Sequence, residues 1–215
     1  MVNPIFEDKV VALLSSHIKA QKWSCKMVGD PNLLKAKLPS VTVTGDNVIY
    51  NNAVIEKLVL NFRNVTVNVK DKSIKSCEEA TADIKIKDSE LTKLIRNYVK
   101  NISDPEAEAH DGKITLKGNT EFLKQTVHLE VTGNVRFENG TDLILEPDSF
   151  RVMKLGIPIP NIAKNFINEK INPVYRITEN PYSIYVDDLE YSEGYVNCRG
   201  RFDTVKVMAL FTQKK

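Results

Sequence analysis

The chain has 215 residues, of which 42% are hydrophobic and 27% are charged, and this length and composition suit a globular protein with a sizeable core. A formal net charge of +2 gives no strong overall field, which argues against a nucleic-acid-binding protein. No window approaches the roughly 18 consecutive apolar residues of a membrane-spanning helix, and the first residues, MVNPIFEDKVVALL, lack the pattern of a signal peptide.

The N-terminal region predicts a helix followed by a strand. Apolar residues recur at helical spacing over residues 4–20, where Asn3 can cap the helix and Pro4 suits its first position. Trp23 to Val28 follows as a strand, and Gly29 opens a turn. This region is also basic, through Lys19, Lys22, Lys26, Lys35 and Lys37. The lysines indicate either a solvated surface or contact with anionic lipid headgroups.

From Ala53 onwards the pattern becomes mainly β. Leu58, Leu60 and Phe62 alternate with polar residues, and the alternation then changes parity at Val65. A one-place shift exchanges the two faces of a strand, so the change predicts a bulge or a sharp bend.

Residues 80–99 predict a strand that runs directly into a helix. Ile84 and Ile86 lie on the apolar face of the strand, and Asp88 can cap the helix that follows. Leu94 belongs to the apolar stripe of this helix, which is predicted over residues 88–102. The acidic segment from Asp104 to Asp111 is predicted as a loop.

The second half predicts an antiparallel meander. Its apolar alternation includes Ile114 and Leu116, then Leu143 and Leu145, with turn signals such as Asn139-Gly140 between the strands.

An unusually apolar segment follows the meander. It carries Ile157 and Ile159 beside two prolines, and it indicates either a loop packed into the core or a rim that touches lipid. A helical stripe containing Phe166 comes next, and Tyr195 to Phe211 is predicted as a long final strand.

Together these elements predict an α+β fold made of one domain over residues 1–215. A long, curved antiparallel sheet with a continuous apolar face is wrapped around, or covered by, about three helices. A ligand could share that covering with the helices.

Sequence motifs for catalysis and metal binding are missing. There is no GxSxG, GxxxxGK[ST], GxGxxG or HExxH pattern, so we predict no catalytic residues, no metal site and no cofactor. An enzyme acting on a small apolar substrate remains an alternative, and its best residues would be His128 with Glu130 or Asp142. The three cysteines are far apart in sequence and are predicted to be free thiols.

Three segments resemble the LmeA-type phospholipid-binding proteins, a bacterial family of the cell envelope. LVLNFRNVTVNV followed by SIKSCEEATADIKIKDSELTKLI is similar to a strand and a strand-to-helix element of that family. GKITLKG with VHLEVTGNVRFENGTDLILEPDSFRV is similar to its paired strands. LGIPIPNIAKNFINEKINPVYRI and IYVDDLEYSEGYVNCRG resemble its late helix and closing strands. The resemblance covers residues 12–200.

The resemblance implies a protein that holds phospholipid in an elongated apolar cavity, in a curved sheet similar to tubular lipid-binding domains. It also implies a location that is extracytoplasmic or membrane-associated, with peripheral membrane contact as an open question. The partner would be a phospholipid or another fatty-acyl ligand, held without catalysis, in lipid transfer or envelope maintenance. The oligomeric state stays open.

Apolar positions from several elements are the candidate ligand-binding residues. They are Leu58, Leu60, Phe62, Ile84, Ile86, Leu94, Ile114, Leu116, Leu143, Leu145, Ile157, Ile159 and Phe166. A structural or interaction protein whose sheet is filled by its own helices is the main alternative, because a filled core produces the same inward alternation.

Overall fold

The structure is a computed structural model that describes residues 4–29, 37–50, 52–68, 73–96, 99, 101–122, 124–153, 164–176, 184–192 and 194–206. In this part of the chain, 68% of the residues are in strands and 18% are helical. The predicted α+β fold with three covering helices is therefore wrong. The protein is mainly β, with two antiparallel sheets that form a curled half-barrel.

The strands run the length of the chain and are numbered in chain order. They are β1 (Lys22–Val28), β2 (Lys37–Tyr50), β3 (Ala53–Asn68), β4 (Ser73–Ser76), β5 (Glu79–Lys87), β6 (Ser103–His110), β7 (Lys113–Phe122), β8 (Gln125–Glu138), β9 (Asp142–Met153), β10 (Tyr175–Arg176), β11 (Ile184–Ser192) and β12 (Tyr195–Phe202). The helical elements are α1 (Pro4–His17), α2 (Asp88–Arg96) and a π-helical turn, Ile167–Ile171.

The first sheet has the strand order β1-β2-β3-β5-β12-β11, with β4 paired to β3, and the second has the order β10-β9-β8-β7-β6. Two backbone hydrogen bonds join the sheets. The Val186 N–H donates to the Gly140 carbonyl oxygen at 2.9 Å, and the Gly194 N–H donates to the Ala109 carbonyl oxygen at 3.3 Å. Each sheet thus covers part of the apolar inner face of the other sheet. This is why short helices suffice where the sequence predicted a helical covering.

The acidic segment predicted as a loop is strand β6. Glu106 and Glu108 point outward, while Ala107 and Ala109 are buried. The inward residues are small because α2 packs directly on them: Thr92 Oγ1 accepts a 2.9 Å hydrogen bond from the Ala107 N–H. Acidic residues alone gave the appearance of a solvated loop, and the alternating alanines were the strand signal.

Helix α2 starts at Asp88 as predicted and buries Leu91 and Ile95. It ends at Arg96, short of the predicted end at residue 102, although the Val99 N–H still donates to the Ile95 carbonyl oxygen at 3.0 Å. Residues 97, 98 and 100 lie outside the described residues.

Helix α1 lies along the free edge of the first sheet. The backbone N–H of Met27 in β1 donates to Glu7 Oε1 at 2.8 Å, and Trp23 Nε1 donates to the Ile18 carbonyl oxygen at 3.3 Å. Two donors of the edge strand β1, one backbone and one side-chain, are thereby satisfied by α1 and the residue that follows it. Among the helices that the structure describes, none is long and apolar enough to cross a membrane.

Backbone irregularities lie where the strand parity changes. Asn64 has a φ of 50°, between inward-facing Phe62 and Val65, and a register shift separates Ile55 from Lys57. The final strand ends at Phe202, earlier than predicted, and residues 204–206 form a helical turn. Residues 207–215, the rest of that predicted strand, lie outside the described residues.

Candidate functional site

An apolar cavity of about 260 Å³ lies between the two sheets. The first sheet supplies most of its wall, the second sheet adds residues near the β8–β9 hairpin, and α1 and α2 contribute from their apolar faces.

Strand pairing explains the wall on the first sheet. Leu58 of β3 pairs with Ile84 of β5, and Leu60 pairs with Ala82, so alternate side chains of both strands point to the same face. Ala82 is fully buried and has the smallest side chain in this row. Because the Ala82 methyl group is smaller than the neighbouring side chains, it leaves open space at the base of the cavity.

The predicted binding residues divide into three groups. Those that line the cavity are Leu58, Leu60, Phe62, Ile84, Ile86, Leu94, Ile114 and Leu143. Leu116 and Leu145, each 1% exposed, lie in the packed core of the second sheet, and Phe166 packs against Val127 and Val152. Ile157 and Ile159 lie outside the described residues.

The π-helical turn packs on the inner face of the second sheet. Ile167 is fully buried and Ile171 is 3% exposed, both in the same core cluster as Leu145. Asn172 fixes the turn to β9, because its Oδ1 accepts from the Leu145 N–H at 2.9 Å and its Nδ2 donates to the Leu145 carbonyl oxygen at 3.0 Å. The second sheet therefore has a filled half, whereas the first sheet faces the cavity.

Several further lining residues are absent from the predicted binding set. These are Leu14 and Ile18 of the α1 region, Val48 and Tyr50 of β2, Ile55 of β3, Ala82 of β5, Leu91 and Ile95 of α2, Phe137 of β8, Tyr175 of β10, and Val186, Leu189, Tyr191, Val196, Cys198 and Phe202 of β11 and β12. The strand of β12 was predicted, and the alternation at Val196 and Cys198 could also have assigned its inward face. In β11 a register shift between Val186 and Asp188 moves the inward-facing positions by one residue. The sequence of β11 therefore shows no regular alternation of inward and outward residues.

The cavity wall is electrically neutral in the part of the chain that the structure describes. The lining residues that carry a polar side-chain group are Tyr50, Tyr175, Tyr191 and Cys198. Burial raises the pKa of Tyr191 well above its ordinary value, and its hydroxyl lies 3.5 Å from the Val135 carbonyl oxygen. Burial, with a smaller contribution from nearby aspartates, raises the pKa of Cys198 to about 12. Both groups therefore stay protonated at neutral pH.

The residues named for an enzyme do not converge on the cavity. His128 Nδ1 lies 3.2 Å from Asn119 Oδ1, Glu130 pairs with Arg151 at 3.7 Å, and Asp142 pairs with an arginine of β10 at 2.9 Å. His128, Glu130 and Asp142 are not lining residues. Within the described ranges, no group of three His, Cys, Asp or Glu side chains could hold a metal ion.

Comparison with protein families finds a match. A family model described as LmeA-like phospholipid-binding matches residues 8–201, from α1 into β12. Comparison with curated proteins finds no match, and comparison with solved structures finds none either. The matched segment contains both sheets and α2, and thus nearly all of the cavity wall.

Proposed function

The chain belongs to the LmeA-like phospholipid-binding family, and from this premise we propose that it holds a phospholipid or another acyl-chain lipid in the apolar cavity without catalysing a reaction. The observation that carries the proposal is the neutral, almost wholly apolar wall shared by both sheets. Such a wall excludes water and offers nothing to a charged group, but it matches a hydrocarbon chain.

The driving force is comparable in magnitude to the cost of binding. Burial contributes roughly 0.8 kcal/mol per methylene, so ten methylenes contribute about 8 kcal/mol. The loss of translational and rotational freedom costs about 4 to 15 kcal/mol. Ten buried methylenes therefore offset costs in the lower part of this range, and a longer buried chain offsets more.

The biological setting is part of the same proposal. We place the protein in lipid transfer or maintenance of a bacterial envelope, as one lipid-binding unit over residues 1–215, at an extracytoplasmic or membrane-associated location. Contact with an anionic membrane has some support from Ile49, which is 49% exposed and whose N–H donates to the Lys19 carbonyl oxygen. Lys19 is exposed, so an apolar side chain lies close to positive charge.

A second candidate is an interaction protein that carries no ligand. The filled half of the second sheet favours it, because the π-helical turn there does the covering that a lipid would otherwise do. The two candidates differ in whether the cavity beside the first sheet is occupied in solution.

Lipid uptake tests the proposed function. The protein is purified, its co-purified lipid is identified by native mass spectrometry, and the delipidated protein is offered a fluorescent phospholipid. We expect saturable uptake. Protein that carries no lipid and takes up none would support the interaction protein instead.

A matched pair of variants assigns the uptake to the cavity. Ile84→Asn places an amide in the wall, whereas Val59→Asn makes a similar change on β3, one residue from the partner of Ile84 and on the opposite face. We expect Ile84→Asn to lower uptake at least tenfold and Val59→Asn to leave it close to the wild-type level. Equal uptake by both folded variants would place the lipid elsewhere.

A further inference from the structure

We propose that the cavity admits one acyl chain at a time, with the chain end toward Ile55 and Ile86 and the polar end outside the cavity, beyond Phe62 and Phe202. This proposal rests on the proposed function, since it specifies the ligand of the same site. It names the ligand class as single-chain amphiphiles, such as lysophospholipids and fatty acids.

The volume of the cavity limits the number of chains. An apolar cavity of about 150 Å³ holds one benzene ring in another protein. By the same scale, the 260 Å³ available here suits roughly ten carbon atoms. Two chains of ordinary length need several times that space, so the second chain of a diacyl lipid would remain outside.

The wall is long enough for one extended chain. Lining residues follow β3 from Ile55 to Phe62, a distance of about 23 Å at 3.3 Å per residue. One leaflet of a bilayer contributes about 15 Å of hydrocarbon, half of the 30 Å core. The row of lining residues is therefore longer than one chain in a membrane.

The two ends of this row differ in exposure. Ile55 and Ile86, which pair across β3 and β5, are 8% and 5% exposed, and Val48 beside them is 1% exposed. Phe62 and Phe202 at the other end are half-buried. Because the wall is closed at Ile55 and more open at the phenylalanines, we assign the mouth to Phe62 and Phe202.

The wall also determines which part of a ligand is recognised. Among the described lining residues no side chain carries a charge at neutral pH, so none can form an ion pair with a phosphate, a carboxylate or a quaternary amine. Transfer of an ionised headgroup into such a cavity without a partner is strongly unfavourable. Affinity should therefore follow the chain and depend little on the headgroup.

Native mass spectrometry and displacement of a fluorescent fatty acid test the number of chains. The delipidated full chain is titrated with myristoyl lysophosphatidylcholine and, separately, with dimyristoyl phosphatidylcholine. We expect one lysolipid per protein and at least tenfold weaker binding of the diacyl lipid. Two lysolipids per protein, or a diacyl lipid that binds as tightly, would overturn the proposal. No binding of either lipid would refute the proposed function as well.

A headgroup series and a chain-length series complete this test. Myristic acid, myristoyl lysophosphatidylcholine and myristoyl lysophosphatidylglycerol should agree within about threefold in Kd, and a spread beyond thirtyfold would reveal headgroup recognition. Affinity should rise about fourfold per methylene until the cavity is filled, and then level off. A continued rise over long chains would contradict a cavity of this volume.

Fluorescence quenching tests the orientation. Phe62→Trp at the mouth and Leu58→Trp nearer the closed end are compared in a Trp23→Phe background. A fatty acid brominated next to its carboxyl group should quench Phe62→Trp more, and one brominated near its methyl end should quench Leu58→Trp more. If each brominated fatty acid instead quenches the other folded variant more strongly, the chain binds in the opposite orientation.

Discussion

The Glu90 carboxylate accepts a hydrogen bond of 2.7 Å from the backbone N–H of Val54, which joins the first turn of α2 to the start of β3. Lys93 Nζ lies 2.7 Å from the other carboxylate oxygen of Glu90, one turn along the helix. This junction positions α2 over the closed end of the cavity, because Leu91 and Leu94 of the same helix line it.

Replacing Glu90 with glutamine should destabilise the fold by about 1 kcal/mol, since a hydrogen bond to a charged acceptor becomes a neutral one and the Lys93 ion pair is lost. Urea unfolding followed by circular dichroism measures the change. Glu169→Gln, at an exposed carboxylate on the π-helical turn, provides the control. Equal effects of the two substitutions would show that the junction contributes nothing particular.

The contribution of Glu90 should also depend on pH. Burial alone would raise its pKa, but hydrogen bonds from Lys93 and the Val54 N–H, together with the charges of Lys93 and Lys87, hold the pKa below its ordinary value of 4.5. The unfolded chain then binds the proton more tightly, so this stabilisation is complete above about pH 4.5 and is lost as pH falls through the folded-state pKa. The difference in unfolding free energy between wild type and Glu90→Gln should shrink between about pH 6 and pH 3. A constant difference would contradict this linkage.

The Cys198 thiol should react slowly and report cavity occupancy. Its pKa of about 12 leaves little thiolate at pH 8, and the side chain faces the cavity. Maleimide labelling followed by peptide mass spectrometry should show Cys198 modified far more slowly than in urea, and more slowly again after lipid loading. Rapid modification of Cys198 in the lipid-loaded protein would show that its side chain does not line the cavity.

Gly133 should tolerate no side chain. An added Cβ would press on the Glu146 carbonyl oxygen and lie 2.8 Å from Pro147 Cα, both on the neighbouring strand β9. Gly133→Ala should therefore cost about 2 kcal/mol or more through displacement of β9. Gly112→Ala is the contrast: its φ is 73° but nothing lies within 4 Å, so it should cost only about 1 kcal/mol. Thermal unfolding of both variants gives the comparison.

Leu145 and Leu143 should separate the packed core from the cavity wall. Leu145 is 1% exposed inside the filled half, so Leu145→Ala should cost about 3 kcal/mol and leave lipid uptake unchanged in the folded protein. Leu143 lines the cavity, so Leu143→Ala should cost about 2 kcal/mol and favour longer or bulkier chains. Chemical unfolding and lipid competition are measured for both. If the two variants lose the same stability and prefer the same lipids, the packed core and the cavity wall are not separate regions.

The sequence identified the family and much of the cavity wall because alternation along a strand is a local property. Leu58, Leu60 and Phe62 share a face wherever β3 lies, and the same holds for Ile84 and Ile86. The pattern could not tell a filled core from a cavity, which is why Leu116 and Leu145 were grouped with residues that line it. Their inward alternation is the same, and only the π-helical turn from elsewhere in the chain separates them.

By itself the sequence determined the inward faces of β3 and β5 and the start of α2, through side-chain periodicity and the cap at Asp88. Tertiary structure alone decided that the chain divides into two sheets, that β6 is a strand despite its acidic residues, and that one half is filled while the other keeps a cavity. Those outcomes depend on which distant segments meet, such as Asn172 with Leu145 or Val186 with Gly140. Contacts between residues far apart in the chain leave no periodic signal, so the fold had to show them.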